Sequence, residues 1–271
     1  MTPIIDCHNH SNFSSDAVDS VNDMCLRAVE LNMKAFAITD HCDFDGSNLP
    51  HCIEKISSSV KATEDFRNNH PSNTEILTGV ELGEASDFPD DAKTILELCD
   101  YDVVIGSYHN SASGEDFYYV DAKSLSDKEI SDLLTAYFNK IYETAKVSGI
   151  NVLAHITYPL RYIVGNHKRK VDINDYNEII TLILKTIIER GVSLEVNTSG
   201  LRQQIAETLP NADILKMYRN LGGELISLGS DSHNTKDLGK GIKETVSLLK
   251  SLGFTHITYY KKRKPVQVSI E

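Results

Sequence analysis

The sequence is short of positive charge: 27 lysines and arginines stand against 39 aspartates and glutamates, a formal net charge of −12. Such an excess argues against a surface that tracks nucleic-acid phosphates, so no nucleic-acid partner is expected. No apolar run approaches the roughly 20 residues needed to span a bilayer, and no membrane partner is expected either. Five cysteines (Cys7, Cys25, Cys42, Cys52, Cys99) form no CxxC pair, and the N-terminal stretch lacks the basic start and apolar run of a signal peptide. Free thiols in a reducing cytoplasm are the expectation. A GxxxxGK phosphate loop and a dinucleotide-binding glycine fingerprint are missing as well, which disfavours nucleotide-driven and hydride-transfer chemistry. Internal repeats and low-complexity segments are absent.

What is present is an alternation. Short apolar, β-branched runs fall at residues 3–8, 34–39, 75–81, 101–107, 150–154, 192–197 and 223–229. Amphipathic helical patterns lie between them, notably Val21 to Leu31, Ile130 to Val147 and Tyr176 to Ile188. Gly149 and Gly191 sit where helix C-termini want glycine. Runs apolar on both faces predict parallel strands covered by helices. At 271 residues without a composition break, the chain reads as a single α/β domain over 1–271, a closed or nearly closed barrel. The basic "KKRK" at Lys261 to Lys264 is read as a short solvated C-terminal tail.

Active sites of parallel barrels gather at the C-terminal ends of the strands. Six of the ten histidines fall there: His8 and His10, His41, His109, His155 and His233. Glu81 ends the third run, and Asp231 precedes His233 in "GSDSH". One such histidine alone is ordinary, but ligand chemistry at six of seven strand ends is not scatter. His51, His70, His167 and His256 lie in helical or loop stretches and are read as structural. Strand side chains alternate faces, so positions i and i+2 point the same way and His8 and His10 can grip one ion. Together with Asp16, these groups are enough for two or three divalent metals of the manganese, iron or zinc type. Asp6 and Asp40 stand just before ligands and either orient histidines or tie strand ends. Cys7 and Cys42 face the packing.

Close divalent ions lower the pKa of a bridging water and clamp phosphoryl oxygens, so phosphoester hydrolysis of a small phosphorylated substrate is the natural chemistry. Arg161 and Arg202, after the fifth and sixth runs, are candidate substrate-binding residues, because a guanidinium fork suits phosphate oxygens. His233 is a candidate both as a metal ligand and as the acid that protonates the leaving alkoxide. The long stretch from Asn110 to Asp127 is a candidate lid.

In order along the chain, "DCHNH", "TDH", "GVELGE", "SYHN", "LAH" and "GSDSH" resemble the polymerase and histidinol phosphatase (PHP) superfamily of metal-dependent phosphoesterases. The resemblance implies a distorted, TIM-like (β/α)7 barrel with a metal centre at the C-terminal ends of the strands. It further implies that His8, His10, Glu81 and Asp231 hold one ion, that Glu81 bridges to a second held by His109 and His155, and that Asp16, His41 and His233 hold a third. Asp16 stands where family members often carry histidine. The segment "LEVNTSGLR" is similar to the histidinol-phosphatase branch, which implies hydrolysis of L-histidinol phosphate to L-histidinol and phosphate in histidine biosynthesis. A broader phosphatase or nucleotide phosphoesterase, and more distantly a non-catalytic metal-binding module, are the alternatives.

Overall fold

The computed structural model describes residues 4–271. Met1–Pro3, which include the first residue of the run expected at 3–8, lie outside them. Seven strands form one parallel sheet in the order β1 (Ile5–Asp6), β2 (Ala35–Ile38), β4 (Glu75–Gly83), β5 (Val103–Ser107), β6 (Val152–Leu153), β7 (Ser193–Asn197) and β8 (Ile226–Gly229), with β3 (His41–Asp43) also on β4. β2 and β3 keep one register on β4, Ile38 opposite Thr78 and His41 opposite Glu81, so they are a single strand interrupted at Thr39 and Asp40. The sheet closes between β8 and β1 through Cys7 N–H to the Leu228 carbonyl and Asp231 N–H to the His8 carbonyl, both 2.8 Å. The result is the expected α/β barrel, distorted by its short strands.

Local chemistry explains the helices that cover it. Ser20 caps α1 (Val21–Glu30), its hydroxyl accepting the Asp23 N–H, and Val21, Met24, Cys25 and Ala28 form the buried stripe. α2 (Leu49–Asn69) and α3 (Pro89–Leu96) both carry proline in the first turn, where its missing N–H costs nothing. A reciprocal capping box between Ser126 and Glu129 starts α4 (Asp127–Ala145). Gly191, at φ 66°, ends α5 (Asn177–Arg190) in the left-handed conformation that glycine adopts without strain. α6 (Ala212–Asn220) and α7 (Ile242–Ser251) complete the ring. With helices outside and side chains inside, β4 is buried along all its length except partly exposed Glu75. No helix among the described residues is long and apolar enough to cross a membrane.

The basic stretch at Lys261 to Lys264 is largely exposed, as expected, but it is an ordered turn and not a tail. It ends β9 (His256–Lys261), turns, and begins β10 (Lys264–Ser269) in an antiparallel hairpin. Ile257, Tyr259 and Tyr260 are buried, and the hairpin lies against the N-terminal ends of the barrel strands. Its contacts there include Tyr260 Oη to Ser193 Oγ at 2.8 Å and Arg263 N–H to the Asp102 carbonyl at 2.9 Å. The β-branched and aromatic residues on either side of this exposed basic turn build the sheet.

Asp6 locks the barrel seam. Its buried carboxylate accepts the Ser230 N–H (2.8 Å), the Ser230 hydroxyl (2.6 Å) and the Gly239 N–H (2.9 Å). Asp6→Ala strands those donors and is expected to cost about 3 kcal/mol of unfolding free energy in a urea titration; a loss near zero would contradict this role.

Candidate metal centre

The barrel rim is assembled by strand alternation. His8 and His10 follow β1 on one face, and the same two-residue step carries His41 and Asp43 on β3. β4 delivers Glu81, β5 is followed by His109, β6 by His155, and β8 by Asp231 and His233. Three rim residues, Glu84 (φ 58°), His155 (φ 21°) and Asp231 (φ 54°), hold left-handed backbone that non-glycine residues rarely adopt. Such strain persists where surrounding bonds over-determine it. Glu84 Oε1, for example, accepts the N–H groups of His109 and Asn110 at 2.7 and 3.2 Å.

Glu81 is the geometric centre. Fully buried, its carboxylate lies 3.1 Å from His8 Nε2, 3.5 Å from His10 Nε2, 2.9 Å from His41 Nδ1, 3.3 Å from His109 Nε2 and 3.1 Å from His155 Nε2. Asp231 Oδ1 stands 3.4 Å from His10 Nε2, and Asp16 Oδ2 stands 3.0 Å from His233 Nε2 and 3.8 Å from His41 Nε2. All nine residues expected as ligands are therefore brought together.

The donor set fits divalent metal. His8 Nε2, His10 Nε2, His41 Nδ1, Asp43 Oδ1 and Glu81 Oε2 are buried without a hydrogen-bond partner, a costly state for polar atoms that face one another. Several sets of three donors lie within 4.8 Å of one another, among them His8–His10–Glu81, His41–Glu81–His109 and His10–His41–His233. Imidazole and carboxylate together are the ligands zinc, manganese and iron take.

Charges at the rim are strongly coupled. Burial favours the neutral acid at Glu81, but the His8, His41 and His109 imidazoles outweigh it and hold the carboxyl well below its usual range. Burial, reinforced by His41 and His233, pushes His10 down to about 3. At His41 burial works against the charge, yet the Asp43 and Glu81 carboxylates prevail and push it up to about 9.

Above this floor opens a cavity of about 490 Å³ whose walls include His109, His155, Asp231, Arg161 and His233. Arg161 begins a π-helical turn (Arg161–Asn166) and is buried. Its Nη2 donates to Ser199 Oγ (3.0 Å) and Asp231 Oδ2 (3.3 Å), its plane lies over the Tyr158 ring, and its Nε has no partner. The segment from Asn110 to Asp127 brings Asp116, Tyr118 and Tyr119 to the mouth, where both tyrosines are exposed. Arg202 departs from expectation and does not line the cavity. The 3-10 turn Ser199–Arg202 aims its Nη2 at the Ser230 carbonyl (2.8 Å), with Asp237 3.9 Å from Nε.

Three acids were not anticipated. Asp43 lies 3.3 Å from His109 Nδ1 and 3.5 Å from His41 Nδ1; the i, i+2 rule applied to His8 and His10 would have found it. Glu195 carried a weaker signal, an acid inside the apolar run at 192–197, and Glu84 stands just beyond the third run in "GVELGE". Of the two residues preceding ligands, Asp6 ties the seam, while Asp40 accepts Ser14 Oγ–H at 2.7 Å and Ser14 Oγ stands 3.3 Å from His10 Nδ1.

A seven-stranded parallel barrel whose rim gathers six histidines with a buried carboxylate defines a candidate metal-site class. The sequence model of the PHP domain matches residues 6–199, and the chain belongs to that family. Similar relatives include the "Probable histidinol-phosphatase" of Clostridium acetobutylicum, 28% identical over 262 residues, covering 96% of this chain and 98% of the relative. The "Histidinol-phosphatase" of Lactococcus lactis is 26% identical over 272 residues, covering 96% and 95%. Among solved structures, histidinol phosphate phosphatase from Lactococcus lactis in complex with zinc, L-histidinol and phosphate superposes with a TM-score of 0.76 at 22% identity, covering 97% of this chain and 98% of that one. At that identity the likeness establishes the shared fold.

The pKa directions set a pH dependence. His41, raised from 6.5, stabilises the metal-free protein below its ordinary value, and that contribution is lost as pH rises through about 9. Glu81, depressed, contributes above the usual carboxylate range and is lost as pH falls. An ion that takes the His41 nitrogen must displace its proton. Zinc uptake near neutral pH is expected to release protons and to strengthen as pH rises toward about 9, measured by calorimetry in buffers of different ionisation enthalpy. Uptake without proton release would contradict the charge assignment.

Proposed function

We propose that this chain is a metal-dependent histidinol-phosphatase, hydrolysing L-histidinol phosphate to L-histidinol and phosphate in histidine biosynthesis. The observation that carries the reading is the set of unpartnered imidazole and carboxylate atoms around Glu81, opening onto a cavity walled by a buried arginine. Near full-length similarity to proteins named for this activity supports the substrate. The Lactococcus lactis structure, with zinc, L-histidinol and phosphate, supports the same ligand set here.

In this reading His8, His10, Glu81 and Asp231 would hold one divalent ion, Glu81 with His109 and His155 a second, and Asp16, His41 and His233 the third. Zinc, manganese or iron bound there would lower the pKa of a water molecule and draw charge from phosphoryl oxygens. Arg161 holds the phosphate: Ser199 and Asp231 fix one edge of its guanidinium, which leaves the unpartnered Nε to donate to a phosphoryl oxygen. His233 Nδ1 lies 3.0 Å from the Asp231 carbonyl, which can only accept, so Nδ1 carries a proton and Nε2 is the working nitrogen. In the ligand role Nε2 would share an ion with Asp16, whose Oδ2 lies 3.0 Å away. Toward the cavity mouth Asp116 and the rings of Tyr118 and Tyr162 suit an ammonium and an imidazole. Five free cysteines support a reducing cytoplasm.

Two outcomes are expected. With metal-loaded enzyme, kcat/KM for L-histidinol phosphate should exceed that for sugar phosphates and nucleotides by about a hundredfold, roughly 2.7 kcal/mol of discrimination; a flat profile would favour the broader phosphoesterase. Arg161→Met should lower kcat/KM by about a hundredfold with metal content unchanged, and full activity would remove the arginine from the phosphate site.

A further inference from the structure

β7 is the one barrel strand whose end supplies none of the proposed ligands, yet it places a carboxylate at the rim. Glu195 is 1% exposed, and its Oε1 lies 2.6 Å from His8 Nδ1. Its Oε2 accepts the His155 N–H at 2.8 Å and an Asn197 Nδ2–H at 3.3 Å. Both oxygens are thus engaged by protein donors, whereas Glu81 keeps one oxygen without a partner. Although Glu195 lies close enough to His8 and His155 to form a ligand triplet, its bonds are those of a group that holds ligands.

We infer that Glu195 is the positioning residue of the metal centre, fixing the tautomer of His8 and the backbone of His155. This rests on the metal-centre reading above. A carboxylate facing Nδ1 can only accept, so His8 carries its proton there and presents Nε2, the unpartnered nitrogen 3.1 Å from Glu81, to an ion. The second oxygen bonds the N–H of His155, whose φ of 21° needs such an anchor. Asn197 extends the arrangement, donating also to Asp231 Oδ2 at 3.2 Å, so β7 reaches three ligands without being one. Gly229 leaves the room required, since a Cβ there would collide with both Glu195 Oε1 and His8 Cβ.

Glu195→Gln separates this role from bulk packing. The His8 Nδ1–H and the His155 N–H meet different oxygens of Glu195, so in the amide one of them faces an NH2 group that cannot accept. Either the anchor of His155 is lost or His8 moves its proton to Nε2, the nitrogen a metal needs. The test is zinc affinity by chelator competition, together with the histidine ¹⁵N spectrum of the cadmium-loaded protein. Wild type is expected to show His8 bound through Nε2 with Nδ1 protonated. Glu195→Gln should lose about tenfold to a hundredfold in affinity while its metal-free form still folds, and Glu195→Asp, which restores both acceptors, should recover part of it. His8 bound through Nδ1 in wild type overturns the inference whether or not a variant folds, as does a Glu195→Gln protein with wild-type affinity. Wild type that takes up no zinc would instead overturn the metal centre itself, and the inference with it.

Discussion

The placement of one buried carboxylate governs this structure. Glu81, fully excluded from water on the longest barrel strand, is approached by five imidazoles from four other strand ends. A carboxylate in that position is expensive unless charge answers it. The imidazoles supply that charge in the metal-free protein, and divalent ions supply it in the proposed enzyme. Neighbouring histidines are driven apart in pKa: burial, with the His41 and His233 imidazoles, pushes His10 down to about 3, whereas at His41 the Asp43 and Glu81 carboxylates overcome burial and push it up to about 9.

A ring of further buried acids makes that centre tolerable to the fold. Asp6 closes the seam between β1 and β8, Asp40 collects the hydroxyls of Ser11, Ser14 and Ser59, Glu84 grips the start of the loop after β5, and Glu195 bridges His8 and His155. Each spends its hydrogen bonds on backbone or side chains that would otherwise be free to move, and three residues in this zone keep left-handed backbone. The rim is therefore rigid and strained, the condition under which ligands from distant parts of the chain stay within bonding reach of common ions.

Much of this was legible in the sequence because a parallel barrel converts strand order into spatial proximity. His8 and His10 announced themselves by their two-residue spacing, and Glu81, His109, His155 and Asp231 by standing at strand ends. Asp43 obeyed the same spacing but was hidden because β3 is a three-residue continuation of β2 across a break that no hydrophobic pattern marks. Glu195 was hidden inside a run that reads as core, where its partners, 187 and 40 residues away, cannot be inferred locally. Arg202 failed for a related reason: strand periodicity places a residue after β7 but says nothing of the 3-10 turn that rotates it toward Ser230. The basic segment near the C-terminus is exposed as its charge suggested, but charge says nothing of the β-formers on either side that fold it into a hairpin.

The most direct measurement is the metal content of purified Glu81→Gln beside wild type, by elemental analysis after equilibration with zinc or manganese. The substitution keeps side-chain volume and removes only the charge and one acceptor. Two or three ions per wild-type chain, with most of them lost from a variant that still folds, is the result this account predicts. A variant that keeps the wild-type complement would contradict it, since Glu81 would then not be the group on which the centre depends.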